Sequence, residues 1–178
     1  MNHRLADQRA GANRRPAEPD SSGRLHAMQI LRAKAEDAAT LTAIALAAKR
    51  HWGYPEQWIQ GWKKILTIDA DFIAKHETYT AYMDEHAVGF YALIRVSNRA
   101  SLEHLWVLPS AMGQGVGRAL FSHAVQRAKA QGVEAIEIES DPNAEKFYEQ
   151  MGARRVGASV TELEGQARTL PVLIYECS

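Results

Sequence analysis

The stretch WVLPSAMGQGVGRAL at residues 106–120 decides how the rest of the chain is interpreted. Its apolar start is typical of the end of a strand, and its three glycines are typical of a turn. Its continuation from Val116 is typical of an amphipathic helix. The first N–H groups of a helix have no partner within the helix, and the helix dipole favours negative charge beside them. Glycines at 113, 115 and 117 let a ligand lie directly on the backbone. The stretch therefore predicts an anion site suited to phosphate or pyrophosphate.

Two common nucleotide-binding patterns do not fit this turn. A P-loop requires Lys followed by Ser or Thr after its last glycine, and no such pair follows any of these glycines. The dinucleotide pattern GxGxxG also fails, because its last position would be Arg118 or Leu120. A nucleotide-binding α/β domain is therefore a disfavoured alternative.

The remaining chain alternates between strand and helix patterns and carries no internal repeat. Asp37 is a plausible N-cap for the first helix, and Gly132 ends the longest one. The predicted order is β-α-α-β-β-β-α-β-α-β-β, which favours one α/β domain with a sheet of mixed direction. Strands are expected at 29–33, 78–83, 87–96, 100–108, 135–139, 154–160 and 169–175. Helices are expected at 37–50, 55–65, 116–131 and 142–151, with a further turn or two over 69–75.

Composition limits the class of protein. The chain has 178 residues, and its 21 Lys and Arg balance 21 Asp and Glu, which argues against a dedicated nucleic-acid binder. The single cysteine, Cys177, excludes an intramolecular disulfide and suits a cytoplasmic protein.

We expect no membrane span, no secretory signal and no metal site, because neither the apolar runs nor the ligand spacings are present. Residues 1–27, rich in Arg, Pro and Ser, are predicted to be a disordered tail before a domain over 28–178.

Two blocks of the sequence resemble the GNAT acetyltransferase superfamily. MGQGVG at 112–117 is similar to the family's motif A, [Q/R]xxGx[G/A], and SDPNAEKFYEQMGA at 140–153 is similar to its motif B. The order of elements also matches that fold from Gln29 to the end. The resemblance implies an N-acetyltransferase that moves an acetyl group from acetyl-CoA to a primary amine of a small molecule or protein. Amine attack would be direct, in a ternary complex, and coenzyme A would be the product.

The resemblance also implies where the cofactor binds. The strand before motif A would expose backbone groups to the pantetheine arm, and Asn143 would hydrogen-bond it. Met112 departs from the usual Gln or Arg, which implies weaker binding near the pyrophosphate. The full implied set is Leu105, Trp106, Val107, Met112, Gly113, Gln114, Gly115, Val116, Gly117, Arg118, Asn143 and Tyr148.

Catalysis needs a proton donor and a proton acceptor. By resemblance, Tyr148 is the general acid that protonates the leaving thiolate. Glu103 is a candidate base, because strand alternation places it on the face of Leu105 and Val107. The family's best-known glutamate matches Ser101 instead, so the correspondence is not position for position. The alternative acceptors are His104, Glu139 and an ordered water molecule.

An aromatic cluster between the first two helices is the candidate acceptor site. His51, Trp52 and Tyr54 flank a helix break and are expected to contact the substrate. Such rings hold cationic amines by cation–π contact or aromatic substrates by stacking. Trp58 and Trp62, four residues apart, are expected to pack on the sheet instead. A non-catalytic protein that binds or senses acyl-CoA is the alternative function, and the family's frequent dimers make a homodimer possible.

Overall fold

The computed structural model describes residues 27–178, so the predicted tail lies almost entirely outside the described residues. Its helices are α1 (Ala38–His51), α2 (Glu56–Leu66), α3 (Ala70–Lys75), α4 (Val116–Ala130) and α5 (Glu145–Gln150). Its strands are β1 (Met28–Arg32), β2 (Glu77–Met83), β3 (His86–Val96), β4 (Arg99–Val107), β5 (Ala135–Glu139), β6 (Arg154–Leu163) and β7 (Gln166–Glu176).

The strands form one mixed sheet in the order β1-β2-β3-β4-β5-β7-β6. Every neighbouring pair is antiparallel except β4 and β5, which run parallel. The parallel pair follows from the crossover through α4, whereas the antiparallel pairs follow from hairpins such as the turn at Asp84-Glu85. The α/β fold class with a mixed sheet is therefore confirmed.

Helices cover both faces of the sheet and bury two cores. Leu120 and Phe121 of α4 pack against Tyr91 of β3 on one face. Leu41 of α1 and Ile59 of α2 pack with Phe90 on the other. The neighbours Phe90 and Tyr91 are both fully buried, which marks β3 as a central strand with cores on both sides.

The last hairpin is longer than its sequence pattern predicts. Strands β6 and β7 pair over Arg154–Leu163 and Gln166–Ile174, with a register shift at Val156, around a turn at Glu164 and Gly165, both with positive φ. Most of β6 faces solvent on both sides, so its residues do not alternate between apolar and polar. Near the turn, Leu163 packs against α2, which brings this hairpin to the same side of the sheet as the first two helices.

Candidate active site

The sheet is open between its two parallel strands. Arg99–Ser101 of β4 pair with Ala135–Glu137 of β5, and the pairing then stops although both strands continue. The backbone groups of Leu102–Val107 that face β5 are therefore left without a strand partner. Leu105, Trp106 and Val107, for which the resemblance implies contact with the pantetheine arm, lie in this unpaired stretch.

The glycine turn lies at the β4 end of this opening. Gly113 and Gly115 have φ of +76° and +84°, a conformation that side chains disfavour. A Cβ atom added at either position would meet nothing within 4 Å, so the space above the turn is free. Gly115 is the N-cap of α4 and no side chain caps the helix. Unpaired amides beside free space are what an anionic group requires.

The other residues of the turn differ in their placement. Val116 is buried in the core and anchors the start of α4, so only its backbone is available to a ligand. The Gln114 side chain donates a hydrogen bond of 2.9 Å to the Ser110 carbonyl, which braces the turn. Met112 is half-buried and brings no polar group, whereas Arg118 is exposed on the first turn of α4.

Tyr148 lies on α5, in the core that α4 covers. Its ring is buried against Phe121 and Phe147, with ring centres 5.8 and 5.1 Å away. Burial, aided by the charge of Asp141, raises the pKa of the Tyr148 phenol well above its usual value. Within residues 27–178 its hydroxyl has no hydrogen-bond partner. The phenol therefore keeps its proton at neutral pH and has a donor to offer.

Glu103 is exposed, and the strand alternation on which its predicted face depends is interrupted at this position. The register on β4 passes from His104 opposite Ala92 to Leu102 opposite Leu93, which leaves Glu103 as the extra residue of a bulge. Leu102 and Leu105, three positions apart, consequently both pack in the core beneath α4. Strand alternation therefore does not put Glu103 on the face of Leu105 and Val107.

The two alternative side-chain bases are both engaged. His104 is buried on the opposite face, where the Trp106 indole N–H donates to its Nδ1 at 3.1 Å. Burial lowers the pKa of His104 to about 4, so the ring is neutral and its hydrogen lies on Nε2. The lone pair that could take a proton is thus already used. Glu139 accepts a hydrogen bond of 2.6 Å from the Ser159 hydroxyl on β6.

A buried ion pair lies beside the opening, on the side of α1. The Lys49 ammonium lies 2.5 Å from the Asp141 carboxylate, which follows β5, and 5.9 Å from the centre of the Trp106 ring on β4. Burial lowers the pKa of Lys49, and Asp141 opposes this. Burial alone would raise the pKa of Asp141, but the hydrogen bond and charge of Lys49 outweigh it, so the pKa is lowered. No pattern in the sequence predicts this pair directly, because its partners lie on distant segments.

Two further side chains join Asp141. The Tyr54 hydroxyl donates to its carboxylate at 3.0 Å. Asn143 donates twice to the same oxygen, from its backbone N–H and its side-chain amide, both at 2.9 Å. Among the described residues nothing donates to the Asn143 side-chain carbonyl, so this oxygen is available to a ligand. Burial and the Asp141 charge raise the pKa of Tyr54 to about 12.

The aromatic cluster already contains two of the chain's own cations. Lys49 Nζ lies 4.2 Å from the centre of the Trp62 ring, and Arg168 Cζ lies 4.6 Å from it. Both cations also approach Tyr54, and Arg168 approaches Trp58. A cationic amine bound on these same rings would be repelled, which argues against the cation–π interpretation at these three side chains.

The remaining aromatic residues behave differently. Trp62 is buried and Trp58 half-buried in the core beside α2, as predicted. His51 and Trp52 are exposed at the end of α1, with ring centres 5.4 Å apart. The proposed acceptor residues therefore divide into an exposed pair and Tyr54, which belongs to the Asp141 network.

Two other classes of site are not found in residues 27–178. No cluster of three or more His, Cys, Asp or Glu side chains there could hold a metal ion. No helix in this part of the chain is long and apolar enough to cross a membrane.

Comparison with known proteins agrees with this geometry. A family model described as "Acetyltransferase (GNAT) domain" matches residues 53–165. Among solved structures, the PaiA N-acetyltransferase of Thermoplasma acidophilum in complex with coenzyme A is 20% identical with a TM-score of 0.66, covering 84% of this chain and 99% of that one. The ribosomal-protein-S18-alanine N-acetyltransferase of Escherichia coli is 18% identical with a TM-score of 0.64, covering 85% and 95%.

At this level of identity the solved structures establish the fold alone, whereas the family match spans more than half of the chain. The glycine turn and the opening between β4 and β5 both lie within the matched residues. The chain therefore belongs to the GNAT acetyltransferase family and is an acyltransferase.

Proposed function

We propose that the chain transfers an acetyl group from acetyl-CoA to a primary amine, by direct attack of the amine in a ternary complex. The observation that carries this proposal is the uncapped start of α4 beside the unpaired stretch of β4. An uncapped helix start is suited to phosphate groups, and an unpaired strand edge is suited to an extended chain with amide groups. Coenzyme A contains phosphate groups and such a chain. The domain responsible is 28–178.

The amide groups of Gly113–Gly117 would hold the pyrophosphate, with Arg118 adding positive charge. The free backbone groups of Leu105, Trp106 and Val107 would pair with the pantetheine arm. The Asn143 carbonyl would accept from the same arm. Since Met112 brings no polar group to the turn, binding there depends on backbone amides and on Arg118.

In the reaction, a bond forms between the amine nitrogen and the acetyl carbonyl carbon, and the carbon–sulfur bond breaks. The amine loses one proton, and the departing thiolate gains one. Tyr148 would supply the proton that the thiolate gains, because burial keeps its phenol protonated. The proton that the amine loses would pass to Glu103 or to water, since His104 is neutral and its acceptor nitrogen is already hydrogen-bonded.

Isothermal titration with acetyl-CoA, with ATP and NAD as controls, tests the cofactor. Release of coenzyme A in the presence of a panel of primary amines then tests the reaction. Saturable binding of acetyl-CoA alone, followed by release that depends on the amine, is the expected result. Binding without release with any amine would favour an acyl-CoA sensor instead. Absence of binding would overturn the proposal.

A further inference from the structure

We infer that the acceptor amine carries a carboxylate and that Arg168 binds this group. The inference rests on the proposed function, since it specifies the acceptor of the same site. Its evidence is the half-buried guanidinium of Arg168 on β7, which has no carboxylate partner among residues 27–178.

Arg168 uses little of its hydrogen-bonding capacity. Its guanidinium has five N–H donors, and within the described part of the chain only one of them forms a hydrogen bond, of 3.3 Å, to the Tyr54 hydroxyl. Among residues 27–178 no carboxylate oxygen lies within 4.0 Å of it. Removing a cation from water without a partner is costly, and ring contacts offset only part of that cost.

The carboxylate that shares the Tyr54 hydroxyl with Arg168 is already engaged. Asp141 accepts from Lys49, from Tyr54 and twice from Asn143. Two cations and one carboxylate therefore share this cluster, which leaves an excess of one positive charge. A carboxylate from outside the chain would neutralise it.

The location fits an acceptor rather than the cofactor. Lys49, the deeper cation, lies between Trp106 of β4 and Asp141 after β5, at the opening itself. Arg168 is the more exposed of the two and contacts the same Trp62 ring. If the amine of the acceptor enters the opening from this side, the rest of the acceptor molecule lies near Arg168.

The excess charge also acts on the amine. Nearby fixed cations disfavour the ammonium form, and so they favour the neutral amine that attack requires. A carboxylate on the acceptor compensates the positive cluster at one end of the molecule, while its amine enters the opening at the other end. An acceptor with a carboxylate can therefore bind beside the positive cluster and still present a neutral amine in the opening.

The test compares ω-amino acids of several chain lengths with their primary amides, which differ only in the charge at the far end. Binding to the protein saturated with coenzyme A is followed by tryptophan fluorescence, because Trp58 and Trp62 contact Arg168 directly. We expect at least one acid to bind about tenfold or more tightly than its amide, as a charge-assisted hydrogen bond implies. Equal affinity within every pair, or binding of neither member, overturns the inference.

Substitutions of Arg168 and of a control residue test which side chain causes the preference for the acid over the amide. In Arg168→Gln the ratio between acid and amide should fall to near one, and Arg168→Lys should keep part of it, since a lone ammonium lacks the planar fork. Arg154→Gln removes an exposed cation from the neighbouring strand β6 and should leave the ratio unchanged. A preference that survives in Arg168→Gln would assign the anion to another residue.

The two proposals fail in different ways. Preferential binding of an acid without release of coenzyme A would contradict acetyl transfer and keep the anion site. Release of coenzyme A with acids and amides at the same kcat/KM would keep acetyl transfer and overturn the role of Arg168.

Discussion

Lys49 and Asp141 form an ion pair at 2.5 Å across 92 residues of sequence, and only 9% and 8% of their side chains are exposed. The pair joins α1 to the segment after β5, on either side of the opening in the sheet. A buried pair of this kind need not stabilise a fold more than apolar residues would, but the loss of one partner leaves a charge without compensation. Because the pair lies beside the opening, the same contact contributes both to the stability of the domain and to the shape of the site.

Replacing one partner of this pair should destabilise the domain strongly. We expect Lys49→Met to lower the free energy of unfolding by about 3–5 kcal/mol, because Asp141 then stays buried without a cation. Urea denaturation measures this. Lys75→Met breaks the exposed pair with Asp71 and should change stability far less. Similar losses in both variants would show that the burial of Lys49 is unimportant.

Glycine substitutions test the anion site. Gly115→Asp should abolish binding of acetyl-CoA in isothermal titration, because a carboxylate there repels the pyrophosphate. Gly165→Asp is the matched control, since Gly165 also has positive φ and open space but lies in the β6–β7 turn. It should bind normally. Full affinity in a folded Gly115→Asp protein would place the pyrophosphate elsewhere.

Tyr148→Phe should lower kcat by roughly tenfold or more and leave the affinity for acetyl-CoA almost unchanged, because only a proton donor is lost. Tyr175→Phe controls for the removal of a hydroxyl, since Tyr175 also packs on Phe121, at 5.4 Å. The coenzyme A release assay gives kcat. An unchanged kcat would remove Tyr148 as the acid.

Glu103→Gln should lower kcat near neutral pH, and the deficit should shrink as the pH rises, because amines then lose their proton in solution. Glu137→Gln, on the neighbouring strand β5, controls for the loss of an exposed carboxylate. Profiles of kcat against pH that coincide for wild type and Glu103→Gln would leave water as the acceptor of the amine proton.

The buried imidazole of His104 predicts a pH dependence of stability. Its pKa is about 4 when folded and 6.5 in the unfolded chain, so the unfolded state binds more protons between these values. The free energy of unfolding should therefore decrease as pH falls from 6.5 to 4, with a slope approaching about 1.4 kcal/mol per pH unit from this group. Urea titrations of His104→Gln should lack this component, and an identical slope in both proteins would contradict it.

Much of the fold follows from local patterns. The helix from Val116 and the strand at Ala135–Glu139 were predicted within a residue, because each has a clear apolar period and a glycine or proline near its end. The hairpin β6–β7 was predicted too short, since its exposed residues carry no alternation. On α2, Ile59, Trp62 and Leu66 form the buried stripe, and the apolar side chain of Ile65 lies outside it and is 65% exposed.

The site was less accessible to sequence reasoning. The bulge at Glu103 depends on the register with β3, which no local pattern encodes. The Lys49–Asp141 pair joins distant segments, although one signal was present. Lys49 continues the buried stripe of Leu41, Ala45 and Ala48 on α1, and a lysine at such a position requires a buried partner.

The short ladder between β4 and β5 has a mechanical consequence. Four strands lie on one side of it and three on the other. They are joined along this seam by the pairs at Arg99–Ser101 and, just before these, by hydrogen bonds between Asn98 and Glu134. A molecule lying in the opening would donate and accept hydrogen bonds where a neighbouring strand otherwise would, as a partial eighth strand. Its arrival and departure would change how rigidly the two halves are joined, which would couple each turnover to the stiffness of the whole sheet.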